Sequence, residues 1–215
     1  MLPIFNIFEL GVKEGEKNSY VAVGKNNITK SVFNDKGTLG MYLVQEKENP
    51  NMTYMFEVYE DEKSYQEHIK SEQYKEFLRQ SPTILTNHKK KIQVMPEYMG
   101  DKKFVQTRNT RVNYVTVDVK EGFNDAFREI VLDEMKQSIK KEEGVYVIYA
   151  ATAIGNPNKW YFFEIYENEK AYQKHRKTAH FKKYIEQTEN IIENKEFINI
   201  EGVKLLNKGN LNYVK

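Results

Sequence analysis

The sequence predicts an α+β protein in which two βαββαβ repeats pack sheet against sheet within one chain. Three observations predict it: the chain repeats itself at a fixed offset, each copy runs strand, helix, strand, strand, helix, strand, and its strands are apolar on both faces. The repeat is plainest in FEVYEDEKSYQEH, Phe56 to His68, and FEIYENEKAYQKH, Phe163 to His175, whose histidines stand 107 positions apart. The same offset pairs Val12-Lys13-Glu14-Gly15 with Val119-Lys120-Glu121-Gly122, Gly37 with Gly144, and Asn49-Pro50-Asn51 with Asn156-Pro157-Asn158. Residues 1–100 are then the first repeat, 101–107 (DKKFVQT) a linker, 108–207 the second repeat and 208–215 (KGNLNYVK) a tail. A period this long marks duplicated domains, since solenoid units are roughly 20 to 50 residues.

The second copy shows each element in turn. Tyr114 to Val119 is rich in β-branched residues and reads as a strand. From Phe123 to about Lys141, Phe127, Ile130, Val131, Met135 and Ile139 keep helical spacing, and Gly144 reads as the residue just past that helix. Val145 to Ala153 and Lys159 to Tyr166 are two strands turned by GNPN. Asn168 caps a second helix that runs to about Ile192, with a possible break near Thr178. EFINIEGVKLL closes the copy as one last strand. This order is the ferredoxin-like pattern, one antiparallel sheet carrying both helices on one face. The bare face needs cover as well, because Trp160, Phe162 and Ile165 cannot all lie beneath the same helices as Tyr161 and Phe163. Two copies answer that need as a pseudo-dimer within one chain with a closed, barrel-like core, and leave room for further homo-oligomers.

Composition removes several classes of function. Against 33 Lys and Arg stand 31 Asp and Glu, so the net charge of +2 gives no phosphate footprint, and KWYFFEIY lacks the glycines of an RNA-recognition strand. The basic run His88 to Lys91 has no counterpart in the second copy and reads as a solvated strand entrance. No cysteine is present, which excludes disulfides, thiolate zinc sites and cysteine nucleophiles and suits a reducing compartment. Met1 to Leu10, broken by Asn6 and Glu9 and without a basic leader, reads as a strand and not a signal peptide. No apolar run approaches the roughly 20 residues of a membrane helix. The expectation is a cytoplasmic chain with neither nucleic acid nor membrane as partner. Glycine-rich phosphate loops and nucleophile elbows are missing too.

Histidine carries the chemistry that remains. Ala171, His175, Thr178, Phe181 and Ile185 share a stripe if their helix is continuous, as do Ser64, His68, Ser71, Tyr74 and Leu78 in the first copy. An inward imidazole beside small residues leaves room for a ligand and accepts a proton near neutral pH; the plainer reading is a histidine bonded within an amphipathic helix. His175 and His180, five apart, fall about 140° from each other on a continuous helix, so no metal site is expected.

ENEKAYQKHRKTAHFKKY, a capped helix with Ala-Tyr, a histidine and then a small residue before His-Phe, resembles the second helix of the antibiotic biosynthesis monooxygenase (ABM) domain, and the resemblance extends over both copies. It implies a dimeric α+β barrel, here as a tandem repeat. It also implies a monooxygenase acting without cofactor on a small aromatic or quinol-like molecule and dioxygen. In family members of that kind a pocket asparagine, with a tryptophan or histidine, holds the substrate anion and activated oxygen. Carried over by position, the catalytic candidates are His175 and Asn113, with His68 and Asn6 in the first copy. Trp160, Tyr166, Tyr59, Phe181 and Tyr172 are candidates for contact with substrate. For asparagine the plainer reading is a polar strand end, and for Trp160 a core residue. The copies differ where Thr53 faces Trp160 and Gln73 faces His180, so the second copy is the one expected to work if only one does. Haem degradation is the alternative within the superfamily. That branch has a tryptophan where Tyr59 and Tyr166 stand and an iron-ligating histidine near Ile185, and this chain has neither. A non-catalytic ligand-binding or stress-response module is the alternative outside enzymes.

Overall fold

In the computed structural model, which describes residues 1–215, the first repeat opens with β1 (Ile4–Val12). Its alternation sends Leu10 and Val12 into the helix-side core, and Phe5 and Ile7, equally buried, to the opposite face. α1 (Lys17–Asn34) buries Tyr20, Val23, Ile28 and Val32 against that core. β2 (Thr38–Glu46) and β3 (Met52–Tyr59) form a hairpin, followed by two short helices, α2 (Glu62–His68) and α3 (Glu72–Ile84). Asp61 and Ser71 cap these helices through Ser64 N and Tyr74 N. β4 (Leu85–Ile92) and β5 (Val94–Asp101) complete the set. The second repeat follows the same plan: β6 (Arg111–Val119), α4 (Asn124–Lys141), β7 (Val145–Ala153), β8 (Asn156–Tyr166), α5 (Glu169–Arg176), α6 (Ala179–Thr188), β9 (Ile192–Ile198) and β10 (Ile200–Asn207). β11 (Asn212–Val214) ends the chain.

Two compact units result. The first, Met1–Val94 with Phe104–Gln106 and Ile200–Gly209, holds a sheet ordered β10-β2-β3-β1-β4. The second, Met95–Lys103 with Thr107–Asn199 and Asn210–Lys215, holds the order β11-β5-β7-β8-β6-β9. Each sheet thus takes in a strand from the other repeat, β10 at the edge of the first and β5 beside β7 in the second, and the segment expected as a tail supplies β11 outside β5. The single closing strand expected over EFINIEGVKLL is in fact two. Pairing with β6 stops at Ile198, opposite Tyr114, and after Asn199 the chain pairs along β2 from Glu46 to Gly40. An otherwise bare edge is covered in this way.

Three local expectations change. Gly144 is not a left-handed helix stop: α4 is capped at Glu142, and a Cβ on Gly144 would lie 2.7 Å from Ala171 Cβ, so close approach of α5 is what requires glycine. Ile165 does not share a face with Trp160 and Phe162. It follows Tyr161 and Phe163, while Trp160, Phe162 and Tyr166 pack beneath the helices. The second helix is broken outright, with Thr178 extended at φ −67°, ψ 153° and its hydroxyl accepting from Phe181 N.

Candidate functional site

β6 and β8 present one polar pair to the helices of the second unit. Asn113 lies opposite Glu164 in the antiparallel register, on the face that also carries Val115, Val117 and Phe162. Above them stand His175 near the end of α5, Phe181 and Tyr184 on α6, and Glu134 and Met135 on α4. With Tyr172 and the rim residues Lys195 and Phe197 of β9, these side chains enclose a cavity of about 40 Å³, roughly three water spheres. Phe197, 53% exposed, marks its open side.

The imidazole of His175 is held by carboxylates. Its Nδ1 lies 3.0 Å from Glu142 Oε1, and His180 Nε2 reaches the same oxygen at 2.6 Å. An ionised carboxylate only accepts, so His175 Nδ1 and His180 Nε2 donate to it, and in the neutral form of His175 the lone pair is on Nε2. That nitrogen faces Glu134 Oε1 at 3.5 Å. Burial, the largest influence, draws the His175 pKa down, but Glu142, Glu134 and Glu164 together outweigh it and leave it raised. Burial pushes Glu134 up to about 7 against the pull of His175. Glu142 ends below the usual carboxylate value, because the hydrogen bonds from His175 and His180 overcome its burial.

Asn113 is the other polar feature. Arg111 Nε donates to its Oδ1 at 3.0 Å, which fixes the amide with Nδ2 inward. Buried Nδ2 makes no hydrogen bond of ordinary geometry, although it stands near enough to the Tyr172 hydroxyl to favour its ionised form slightly. Arg111 also stacks on Tyr172, 4.1 Å from the ring centre. A buried unpaired donor aimed into a cavity is costly unless something binds it.

Of the residues singled out by sequence, His175, Asn113, Tyr172 and Phe181 converge on this cavity. Tyr166 lies behind His175, ring centres 5.3 Å apart, with its hydroxyl on Glu164 at 2.5 Å. Trp160 is not at the cavity. Its ring packs on Phe127 and Phe162, and its Nε1–H donates to Asn124 Oδ1 at 2.8 Å. Ile185, expected on the inward stripe, is 39% exposed, because the kink at Thr178 turns Tyr184 inward instead. The same kink overturns the expected separation of His175 and His180, whose ring centres lie 6.3 Å apart. Sequence reasoning missed Glu134, Glu142, Glu164 and Lys195. For Glu134 a signal existed, since it falls at helical spacing among Phe127, Val131 and Met135.

The first unit keeps the counterparts in a different state. His68 is fully buried with neither ring nitrogen hydrogen-bonded, Asp35 Oδ2 standing 3.6 Å from Nδ1. Burial lowers its pKa. Asn6 Nδ2 is likewise buried and makes no hydrogen bond of ordinary geometry, although it stands near enough to Glu57 and Tyr65 to favour their ionised forms. Tyr59 packs on His68 and donates to Glu57 at 2.8 Å. Burial drives Glu57 up to about 7, from an ordinary value of 4.5. The folded chain therefore holds a proton there that the unfolded chain releases, so stability falls as pH rises from 4.5 to about 7 and stays lowered above. Glu57→Gln, which still accepts from Tyr59, is expected to gain up to about 3 kcal/mol at pH 8 and nothing near pH 4.5. Urea unfolding at both pH values checks this, and an equal change at both would refute it.

These features define a class: a tandem ferredoxin-like chain whose second repeat encloses a carboxylate-held imidazole and an amide anchored through its oxygen. The family model described as antibiotic biosynthesis monooxygenase matches residues 3–80 and 110–187. Among solved structures, one described as a putative monooxygenase from Lactobacillus acidophilus is 28% identical, with 99% of this chain and 100% of that one covered and a TM-score of 0.93. Another so described, from Fusobacterium nucleatum, is 30% identical over 100% of this chain and 98% of that one, again with a TM-score of 0.93. No curated protein matches the chain. The chain belongs to the antibiotic biosynthesis monooxygenase family, as a tandem pair of its domains.

Proposed function

We propose that the chain is a cofactor-independent monooxygenase that oxygenates a small phenolic or quinol-like molecule in the cavity of the second repeat. The observation that carries this reading is the pairing of an acceptor with a donor: neutral His175, bonded to Glu142 through Nδ1, offers Nε2 as a base, Asn113 Nδ2 makes no hydrogen bond of ordinary geometry, and both residues line one cavity. His175 takes the phenolic proton, with Glu142 stabilising the imidazolium that forms. The electron-rich anion passes one electron to dioxygen, and the two radicals join through a carbon–oxygen bond. Asn113 donates to the oxygen that carries the charge. Loss of the ring C–H proton and of water, as the O–O bond breaks, leaves a quinone carbonyl. A phenol and one dioxygen thus give a quinone and water, with no external reductant. The cavity admits a single ring only if Phe181 or the Phe197 rim swings outward.

Oxygen uptake with a panel of phenols and reduced quinones, in buffer containing a chelator and no flavin or haem, tests the reading. Quinone formed in step with dioxygen consumed is the expected result. Uptake no faster than buffer across the panel would end the proposal.

A further inference from the structure

We propose that Glu134, His175 and His180 form a binding site for a divalent transition-metal cation, present in the second repeat alone. One carboxylate oxygen and one nitrogen from each ring lie within 4.8 Å of one another. The three side chains are 8%, 3% and 8% exposed, so they meet with little water between them. Two imidazoles and a carboxylate are a donor set that first-row cations take readily. Bonds of about 2.0–2.1 Å would draw the donors to roughly 3.3 Å from each other. The Glu134 side chain and the joint between α5 and α6 are where that contraction can occur. Glu142 stands behind, hydrogen-bonded to both rings, in the place of the outer carboxylate that orients a ligating histidine.

Access and open coordination positions follow from the surroundings. Glu134 lines both the inner cavity and an outer groove of about 1040 Å³ between α4 and α6. His175 lines the first and His180 the second. A cation held between them would have an entry path and room for a water or small ligand.

The first repeat supplies an internal comparison. Asn27, His68, Gln73 and Asp35 occupy the positions equivalent to Glu134, His175, His180 and Glu142. There the amides satisfy themselves: Ser31 Oγ donates to Asn27 Oδ1 at 3.1 Å, and Gln73 Nε2 reaches Ser31 Oγ at 3.1 Å and Asp35 Oδ2 at 3.0 Å. The fold links Asn27, Ser31, Gln73 and Asp35 by hydrogen bonds in one copy, with His68 outside that network, and places ligating atoms in the other. The same backbone therefore does not require the charged set.

Direct titration tests the site. The full chain, stripped with a chelator, is titrated with Zn²⁺ against a chromophoric competitor and, separately, with Co²⁺ by its visible absorption. A single equivalent is expected, with affinity lowered by more than about tenfold in both His180→Gln and Glu134→Gln. His180→Gln carries the residue of the first repeat, and Glu134→Gln changes a different element, so misfolding of one leaves the other decisive. No competition by wild type, or unchanged affinity in both variants, overturns the site. One consequence rests on the oxygenase reading: a cation on His175 Nε2 occupies the lone pair that takes the proton, so Zn²⁺ should suppress oxygen uptake. Because binding is read without turnover, a chain that binds Zn²⁺ but never consumes oxygen sinks the oxygenase and spares the metal site, and the reverse result does the opposite.

Discussion

His175→Ala is expected to lower kcat for oxygen uptake by about 10²–10⁴-fold while the fold is retained. Retention follows from the neighbours. Glu142 keeps its bond to His180 at 2.6 Å, and Phe181 and Tyr166, which flank the lost ring, stay packed on Tyr184 and Tyr172 at 6.0 and 5.1 Å between ring centres. Truncation leaves an imidazole-shaped hole beside Glu134, next to a groove open to solvent. Added imidazole should therefore restore part of the rate in a saturable way, which damage to packing would not allow. Asn113→Ala should cost about 10²–10³-fold in kcat, as loss of a donor to a developing oxyanion does, with KM changed little. Rates unchanged in both variants would remove the assigned roles.

The duplication and the period of each copy made the fold legible, because they report on burial along an element. Phe127, Val131 and Met135 mark one face of α4, and Asn168 announces the start of α5 through its cap. His175, Asn113, Tyr172 and Phe181 were legible through position in those elements. What could not be read was convergence across elements. Glu142 lies 33 residues from His175, and nothing local says that its carboxylate will hold two rings. The histidine pair depended on one backbone reversal: on an unbroken helix the rings diverge, and with Thr178 extended they meet. Trp160 was misplaced for a related reason. It has the right face of β8, but its depth along the strand puts it under Phe127 and Asn124, beyond the cavity that begins at Phe162. Face follows from a two-residue period, whereas depth depends on where α4 crosses the sheet.

Trp160→Ala is expected to destabilise the second unit by about 3–5 kcal/mol, the range for removing a fully buried large aromatic. The indole is wholly buried, 5.1 Å from Phe127 and 5.8 Å from Phe162 by ring centres, and its loss also leaves Asn124 Oδ1 without its donor at the first turn of α4. The first repeat builds the same junction differently. Thr53 replaces the tryptophan, Tyr20 replaces Phe127, and their hydroxyls meet at 2.9 Å, with Thr53 also donating to Leu10 O at 2.7 Å. Large-with-apolar in one copy is exchanged for small-with-hydroxyl in the other, so each residue fits only its own partner. Trp160→Phe separates the contributions: it keeps much of the ring packing and loses the N–H bond, for a further cost of about 0.5–1.5 kcal/mol from that bond. Because Trp160 is the single tryptophan, wild-type fluorescence reports unfolding of this unit, while far-UV circular dichroism follows both units in every variant. If Trp160 only supports the core, Trp160→Phe will melt earlier yet keep the KM of the wild type. A raised KM at unchanged stability would place the indole against the substrate after all.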